Sequence, residues 1–263
     1  MKYQIKAIIS GNVVEVYKYG RPVRTGKDKT VFERHGLNRP EVSEEVAKVI
    51  QEKNLKDSLR RTKNTLRRLI NANTGQWGKE REKFFTLTFK QNVVDHEAAN
   101  VEFMKFIKRL NYHVTGGKKA VLKYVCVVER QQRGALHYHI ILFNMPYVPH
   151  KELLELWGHG AVTINAIDHV DNVGVYVMKY MEKEMNEMQS EKSAKVKGKK
   201  LYFASRGLHK PKEISDGTPE GKKELWEVAA KVEGHEIFRK KYENEHYDTF
   251  EVIQYNLKRE GKG

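Results

Sequence analysis

The alternation of apolar and polar residues divides the chain into short strands and amphipathic helices. The predicted strands span residues 3–19, as a hairpin turning at Gly11 and Asn12, then 84–89, 121–129, 136–143, 161–167 and 247–257. The predicted helices span residues 55–73, 96–110, 150–157, 172–186 and 219–232. The order of elements between residues 81 and 186 predicts an antiparallel sheet with helices packed on one face, which is an α+β fold.

The strand at 136–143 carries His137 and His139 two residues apart. Side chains at positions i and i+2 share a face of a strand, so both imidazoles would face one side and Tyr138 the other. The same pattern also fits the solvated face of a half-buried strand. A third ligand is needed before the pair indicates a metal site.

Glu129 is the candidate for that third ligand. If the hairpin is symmetric about Arg133, Glu129 lies opposite His137, with the two β-carbons about 5 Å apart. A shift of one residue in the register would move the carboxylate to the other face. One carboxylate and two imidazoles leave open positions for substrate oxygens, as in a catalytic site. These ligands are compatible with manganese, magnesium or zinc.

The segment VYVMKYMEKE predicts a helix that Asp171 would cap. Tyr176 and Tyr180 stand one turn apart on this helix, as do Lys179 and Lys183. Two aromatic residues at this spacing also fit a pair that faces the core, with the lysines on a solvated edge. The helix alone does not assign these residues to chemistry.

Together these residues resemble the HUH endonucleases, specifically the rolling-circle replication initiators of phages and plasmids. The first family motif, F-x-T-L-T-F, corresponds to residues 84–89, and the second, histidine-hydrophobic-histidine, to residues 137–139. The third, Y-x-x-K with a second tyrosine in some branches, corresponds to residues 176–183. The resemblance covers about residues 84–185. It implies an RRM-like antiparallel β-sheet with helices packed on it, flanked here by N- and C-terminal extensions.

The resemblance implies metal-dependent nicking and rejoining of single-stranded origin DNA. A tyrosine oxygen would attack a phosphodiester, giving a 5′-phosphotyrosine link and a free 3′-hydroxyl. Tyr180 ranks first and Tyr176 second as nucleophile, and the divalent metal, Mn²⁺ or Mg²⁺, would be held by Glu129, His137 and His139. Lys179 and Lys183 would support the phosphate, although solvated lysines fit those positions equally well. Since the sequence has no G-x-x-x-x-G-K-[ST] loop, a host helicase would open the duplex and a host polymerase would extend the 3′ end.

The charge of the chain agrees with a nucleic-acid partner. There are 49 Lys and Arg residues against 34 Asp and Glu, a formal net charge of +15. Such a field attracts polyanions, with a strong dependence on salt, and does not distinguish DNA from RNA. Basic residues concentrate on the helix at 55–73, and we assign five of them to phosphate contacts: Arg60, Arg61, Lys63, Arg67 and Arg68. An ordinary amphipathic helix with a basic outer face is the alternative.

A chain of 263 residues can hold a core with flanking elements. We expect a DNA-contacting extension over 1–80, the catalytic core over 81–186, and a flexible basic link with an accessory segment over 187–263. The single cysteine, Cys126, is consistent with a reducing compartment. No apolar run approaches the roughly 18 residues of a membrane span, and the start lacks a signal-peptide pattern. We therefore expect a cytoplasmic protein with no membrane partner, while nothing in the sequence selects an oligomeric state.

Three alternatives remain open. A transposase or relaxase shares the histidine pair and the tyrosine, although the chain length and the doubled tyrosine argue against both. A zinc hydrolase would use the same three ligands to activate water, with structural tyrosines. A basic nucleic-acid-binding regulator would have lost catalysis altogether.

Overall fold

The computed structural model describes residues 2–24, 43–78, 82–131, 134–165, 167, 170–190, 202–244 and 248–259. Backbone contacts divide the chain into two compact units, one formed by Met1–Lys48 with Lys210–Gly263 and the other by Val49–His209. The three-part functional division at residues 80 and 186 is not tested by this grouping and stays a prediction. None of the helices in the described residues has the length and apolarity needed to cross a bilayer.

The described residues form ten strands and five helices. The strands are β1 (Lys2–Ser10), β2 (Val13–Arg24), β3 (Lys83–Thr88), β4 (Tyr124–Arg130), β5 (Leu136–Leu142), β6 (Val162–Asn165), β7 (Tyr202–Ala204), β8 (Lys212–Ser215), β9 (Glu236–Asn244) and β10 (Asp248–Asn256). The helices are α1 (Glu44–Asn73), α2 (His96–Thr115), α3 (His150–Trp157), α4 (Val173–Ser190) and α5 (Pro219–Val232). Both sheets are antiparallel, so the predicted α+β class is confirmed.

The first unit contains a sheet of order β8-β1-β2-β10-β9. The predicted N-terminal hairpin is present, and Gly11 takes the left-handed conformation that its turn requires (φ 60°). Helix α5 packs on this sheet through Val228 and Val232, which meet Val14 and Ile214. The predicted bounds of α5 agree with the structure.

The second unit is built on a sheet of order β6-β3-β5-β4-β7. One face packs against α2 and α3, and its core includes Phe85, Phe103, Tyr138 and Trp157. The other face packs against α1 and α4, where the buried side chains include Leu66, Ile70, Phe84, Val127 and Val177. This arrangement is consistent with an RRM-like core.

The prediction of helices on one face of this sheet is wrong, since helices cover both faces. The physical reason lies in β4 and β5, whose apolar residues point both ways and need cover on each side. The apolar stripe of α1, with Leu59, Leu66 and Ile70 buried, supplies part of that cover.

Several predicted bounds also need correction. Helix α1 begins at Glu44 rather than residue 55, and α2 continues to Thr115, where Gly116 ends it in the left-handed conformation. Strands β7, β8 and β9 were not predicted, because β7 and β8 are too short to show a period and β9 is mostly charged or polar. Helix α4 runs to Ser190 through the start of the predicted link, and residues 191–200 lie outside the described residues.

Candidate tyrosine and histidine site

The ladder between β4 and β5 sets the candidate site. Glu129 pairs with His137 and Val127 with His139, so the predicted register is confirmed. The connection turns at Gly134, whose φ of 89° favours glycine. Glu129 and both histidines therefore share the face of the sheet that packs against α1 and α4.

His139 is held from both sides of its ring. Its Nε2 lies 2.7 Å from Oε2 of Glu129, and its Nδ1 lies 3.1 Å from Oγ1 of Thr86, the residue paired with it on β3. His139 is only 4 % exposed and His137 only 6 %, whereas the Glu129 side chain is 21 % exposed. Solvent therefore reaches the carboxylate more readily than either imidazole.

The chemistry of these side chains fits a divalent cation, since one carboxylate and two imidazoles meet on one face. Their positions do not yet form a coordination shell. Among the described residues, no group of three His, Cys, Asp or Glu side chains is arranged to hold a metal ion. The assignment of Glu129, His137 and His139 as ligands stays a prediction.

Helix α4 brings both predicted tyrosines to this histidine. The ring of Tyr180 stacks on His139, with centroids 4.1 Å apart and planes inclined by 27°. The buried Phe84 ring contacts both tyrosines, at centroid distances of 5.5 Å to Tyr176 and 5.3 Å to Tyr180. The two hydroxyl oxygens are 3.3 Å apart and hydrogen bonded. The structure thus unites Tyr176, Tyr180, Glu129 and His139 in one cluster.

Tyr180 is difficult to ionise in this environment. Burial is the largest cause that raises its pKa, to about 12, followed by the hydrogen bond and charge of Tyr176 and the negative charge of Glu129. At neutral pH the side chain is therefore a phenol. A reaction that uses its oxygen as a nucleophile needs a nearby positive charge.

Two asparagines fix the start of α4 against α1. The predicted cap, Asp171, is not the residue that caps α4; the side chain of Asn172 accepts a hydrogen bond from the Val175 N–H at 3.1 Å. Asn71 of α1 accepts from the Gly174 N–H at 2.8 Å and donates to Asn172 at 2.9 Å. Glycine is needed at 174 because a β-carbon there would lie 2.5 Å from the carbonyl oxygen of Arg67.

The two predicted lysines differ in what can be described. Lys179 is exposed, and its Nζ lies 5.7 Å from the centroid of the Tyr176 ring. Lys183 lies on α4, but its side chain is outside the described residues. Lys179 is therefore the lysine that the structure places next to a tyrosine.

The predicted phosphate-binding residues of α1 are spread along and around the helix. Lys63 forms an ion pair with Glu182 of α4, and Arg60 forms one with Asp57 at 3.1 Å. Arg61 is exposed, whereas Arg67 and Arg68 are half-buried. Their role in phosphate binding stays a prediction.

Sequence reasoning missed the residues that support the site. Thr86 was predicted to shape the sheet or contact DNA, and its hydrogen bond to His139 was not foreseen. Asn71 carried a usable signal, since a polar residue next to the buried Ile70 needs a hydrogen-bond partner. Gly174 carried a weaker one, as glycine is unfavourable within a helix unless another backbone approaches closely.

Comparison with known proteins gives a family match for the central part of the chain. Neither the curated proteins nor the solved structures gave a match. Residues 82–185, which carry Glu129, both histidines and both tyrosines, match the model of the family described as replication-associated protein ORF2, and this match supports a replication initiator protein.

Proposed function

We propose that this protein nicks and rejoins single-stranded origin DNA by tyrosine transesterification, as the initiator of rolling-circle replication. The observation that carries the proposal is the stacking of Tyr180 on His139 at 4.1 Å, with Glu129 at the opposite edge of the imidazole. The tyrosine is half-exposed, whereas the histidine is buried. A phosphate entering from solvent can therefore meet the phenol beside the acidic and imidazole groups.

The proposed step exchanges one phosphodiester for another. The Tyr180 oxygen bonds to phosphorus, the bond from phosphorus to the 3′ oxygen breaks, and the phenolic proton is lost while the 3′ oxygen gains one. The 5′ side of the DNA stays on the tyrosine and the 3′ side leaves as a hydroxyl. Since the number and type of ester bonds are conserved, the reverse reaction reseals the nick without ATP.

Glu129, His137 and His139 would hold a divalent cation, Mn²⁺ or Mg²⁺, in place of the hydrogen bond between Glu129 and His139. When bound, this cation would polarise the phosphate and offset the negative charge that opposes ionisation of Tyr180. The protein itself supplies the orientation, because Thr86 holds one ring nitrogen of His139 and turns the other toward Glu129. Lys179, exposed on the same helix, would contact the phosphate from the tyrosine side.

Tyr176 supports a second transfer at the same place. Its hydroxyl is 3.3 Å from that of Tyr180, so it is within reach of a phosphate already attached there. We assign Tyr180 to the first attack because it stacks directly on His139. Tyr176 would then attack the regenerated junction to end or restart a round.

The remaining partners follow from the same proposal. The basic residues of α1 would hold the phosphate backbone of the origin, with Arg61 exposed for this contact. A host helicase would supply the single strand, and a host polymerase would extend the 3′-hydroxyl. These assignments rest on the replication-associated family that residues 82–185 match.

The test is formation of a covalent protein–DNA adduct. The wild type, Tyr180→Phe, Tyr176→Phe and the double variant would be incubated with single-stranded oligonucleotides and Mn²⁺ or Mg²⁺, then resolved on a denaturing gel and by mass. Tyr147→Phe is the matched control, because Tyr147 is 87 % exposed and away from this cluster. We expect a metal-dependent adduct that Tyr180→Phe reduces most, the double variant abolishes and the control retains.

Two other outcomes would overturn the proposal. Cleavage without an adduct would indicate hydrolysis by activated water, and an adduct retained in the double variant would place the nucleophile elsewhere. Glu129→Gln and His137→Ala separate the metal ligands from DNA binding, since both should lose cleavage and keep most of the salt-sensitive binding that rests on Lys and Arg.

A further inference from the structure

A large cleft opens on the face of the second unit that carries α2. Its volume is about 1290 Å³, and its walls come from the second half of α2, the loop that follows it, and the residues after β7. The floor is apolar and includes Ile107, Leu122 and Leu156. The tyrosine cluster lies on the opposite face of the same sheet, so this cleft is a separate site.

The charged side chains around this cleft are all basic. Lys108, Lys118 and Arg206 line it and are exposed. Within the described part of the chain, its lining contains no Asp or Glu residue, and none of these three cations forms an ion pair. The cleft therefore presents uncompensated positive charge, which favours a polyanion.

Two further cations hold the walls in place. Arg109 donates through Nε to the carbonyl of Leu156 at 2.7 Å, which ties α2 to the end of α3. Lys123 donates through Nζ to the carbonyl of Arg206 at 2.7 Å, which ties the start of β4 to the loop after β7. The cleft is thus framed by hydrogen bonds across its elements.

An aromatic side chain stands at the same cleft. Tyr112 lines it and is 59 % exposed. Neighbouring Met104 is 41 % exposed and adds apolar surface. An exposed aromatic ring next to an apolar floor and unpaired cations is the combination that binds single strands, because bases stack on the ring while phosphates meet the cations.

We propose that this cleft binds single-stranded DNA outside the segment undergoing cleavage, with a base stacked on Tyr112 and phosphates on Lys118 and Arg206. The inference rests on the proposed function for the identity of its ligand. Tyr124, beside the cleft, is five residues along β4 from Glu129, which corresponds to about 17 Å of strand. The cleft would therefore hold DNA flanking the nick, so that the strand stays bound after it is cut.

The first test is equilibrium binding of a fluorescent mixed-sequence single strand, measured by anisotropy without metal so that no cleavage occurs. Tyr112→Ala should weaken binding about 5- to 150-fold, the range for loss of one stacked base. Tyr147→Ala, which removes another exposed tyrosine of this unit, should leave the affinity unchanged. Equal affinity of the wild type and Tyr112→Ala would overturn the proposal.

The cations are tested by the salt dependence. The double variant Lys118→Ala with Arg206→Ala should reduce the slope of log K against log salt by about 1.4, since each phosphate contact on a single strand contributes about 0.7. Lys222→Ala with Lys223→Ala removes two exposed lysines of α5 as the matched control. A slope that falls equally in both double variants would show general attraction instead of a site.

Adduct formation separates this inference from the proposed function. The Tyr112 and Lys118/Arg206 variants should still form the tyrosine adduct at saturating DNA, because their residues lie on the other face of the sheet. If the wild type binds DNA through the cleft and forms no adduct, the transesterification fails and the cleft stands. If the wild type forms the adduct and the cleft variants bind normally, the cleft proposal alone fails.

Discussion

The two faces of the sheet in the second unit belong to the same strands and do different work. Toward α2, strand β5 presents Leu136, Tyr138 and Ile140 to an apolar core. Toward α4, the same strand presents His137 and His139. Because the period of a strand is two, one seven-residue segment serves stability on one face and candidate chemistry on the other.

Two tyrosines show what the difference means. Tyr138 is fully buried, stacks on Phe103 at 4.8 Å and donates its hydroxyl to Asn100 at 2.6 Å. Tyr180 is half-exposed and stacks on a histidine, with a second phenol and a carboxylate nearby. Burial raises the pKa of both side chains. Only Tyr180 lies where a cation and a substrate could reverse that effect.

The largest expected effect tests whether the two faces contribute equally to stability. Phe84 and Phe85 are adjacent on β3, point to opposite faces and are both completely buried. Replacing either by alanine should lower the free energy of unfolding of the protein by about 3–5 kcal/mol, because each change leaves a large cavity. Chemical denaturation of the two variants measures the difference.

Milder substitutions at the same positions separate the roles of the faces. Phe84→Leu should reduce adduct formation, because Phe84 contacts Tyr176, Tyr180 and His139. Phe85→Leu keeps a comparable volume on the other face and should leave adduct formation unchanged. Equal loss of activity in both variants would contradict the division between the faces.

The next effect concerns the position of α4 on the chemical face. Gly174→Ala would place a methyl group 2.5 Å from the carbonyl oxygen of Arg67. We expect α4 to shift, at a cost of about 1–3 kcal/mol in the free energy of unfolding. The tyrosines would move with the helix, so adduct formation should fall more than stability explains.

The control for Gly174→Ala is Gly117→Ala. A β-carbon at 117 meets no heavy atom within 4 Å. This substitution should therefore leave both the denaturation midpoint and adduct formation unchanged. If Gly174→Ala behaves like the control, the close contact between α1 and α4 does not set the tyrosine position.

A smaller effect concerns the orientation of His139. Thr86→Val preserves the shape of the side chain and removes the hydroxyl that lies 3.1 Å from Nδ1 of His139. Loss of this hydrogen bond should cost about 0.5–1.5 kcal/mol in the free energy of unfolding. If His139 binds the proposed cation, metal affinity measured by calorimetry should also fall about 10- to 100-fold.

The matched control for Thr86→Val lies on the neighbouring strand. Thr163 pairs with Thr86 across β3 and β6 but is exposed. Thr163→Val should therefore change neither stability nor metal affinity beyond a few tenths of a kcal/mol. Unchanged metal affinity in Thr86→Val would argue against His139 as a ligand.

Patterns local to one hairpin or one helix were readable from the sequence. The pairing of Glu129 with His137 followed from the symmetry of the hairpin, and the shared face of Tyr176 and Tyr180 followed from the helical period. Both depend on residues within one or two consecutive elements, where period and turn length fix the geometry. The α+β class followed from the order of such elements.

Contacts between distant segments were not readable in this way. The join between Asn71 and Asn172 links residues 101 positions apart, and no local period reports it. The cover of both sheet faces also depends on where α1 packs, which its basic surface obscured. The stacking of Tyr180 on His139 combines both limits, because each element was predicted and their distance was not.

The smallest expected effect is a shift in the ionisation of Tyr180. The hydrogen bond and charge of Tyr176 help to raise the pKa of Tyr180 to about 12. Tyr176→Phe removes both contributions, so the pKa should fall toward the ordinary value of about 10 and stay above it, because burial is the larger cause. Titration of carbon-labelled tyrosine by NMR from about pH 9 to about pH 12 measures the shift.

Tyr124 is the internal control for this titration. Its pKa is also raised to about 12, by burial and by the charge of Cys126, and neither cause involves α4. It should titrate identically in the wild type and in Tyr176→Phe, while the Tyr180 resonance, assigned by its loss in Tyr180→Phe, moves to lower pH. An unchanged Tyr180 titration would mean that the two phenols do not interact in solution. Tyr176 would then be a packing residue of the chemical face, comparable to Tyr138 on the other, and the second transfer assigned to it would lose its structural support.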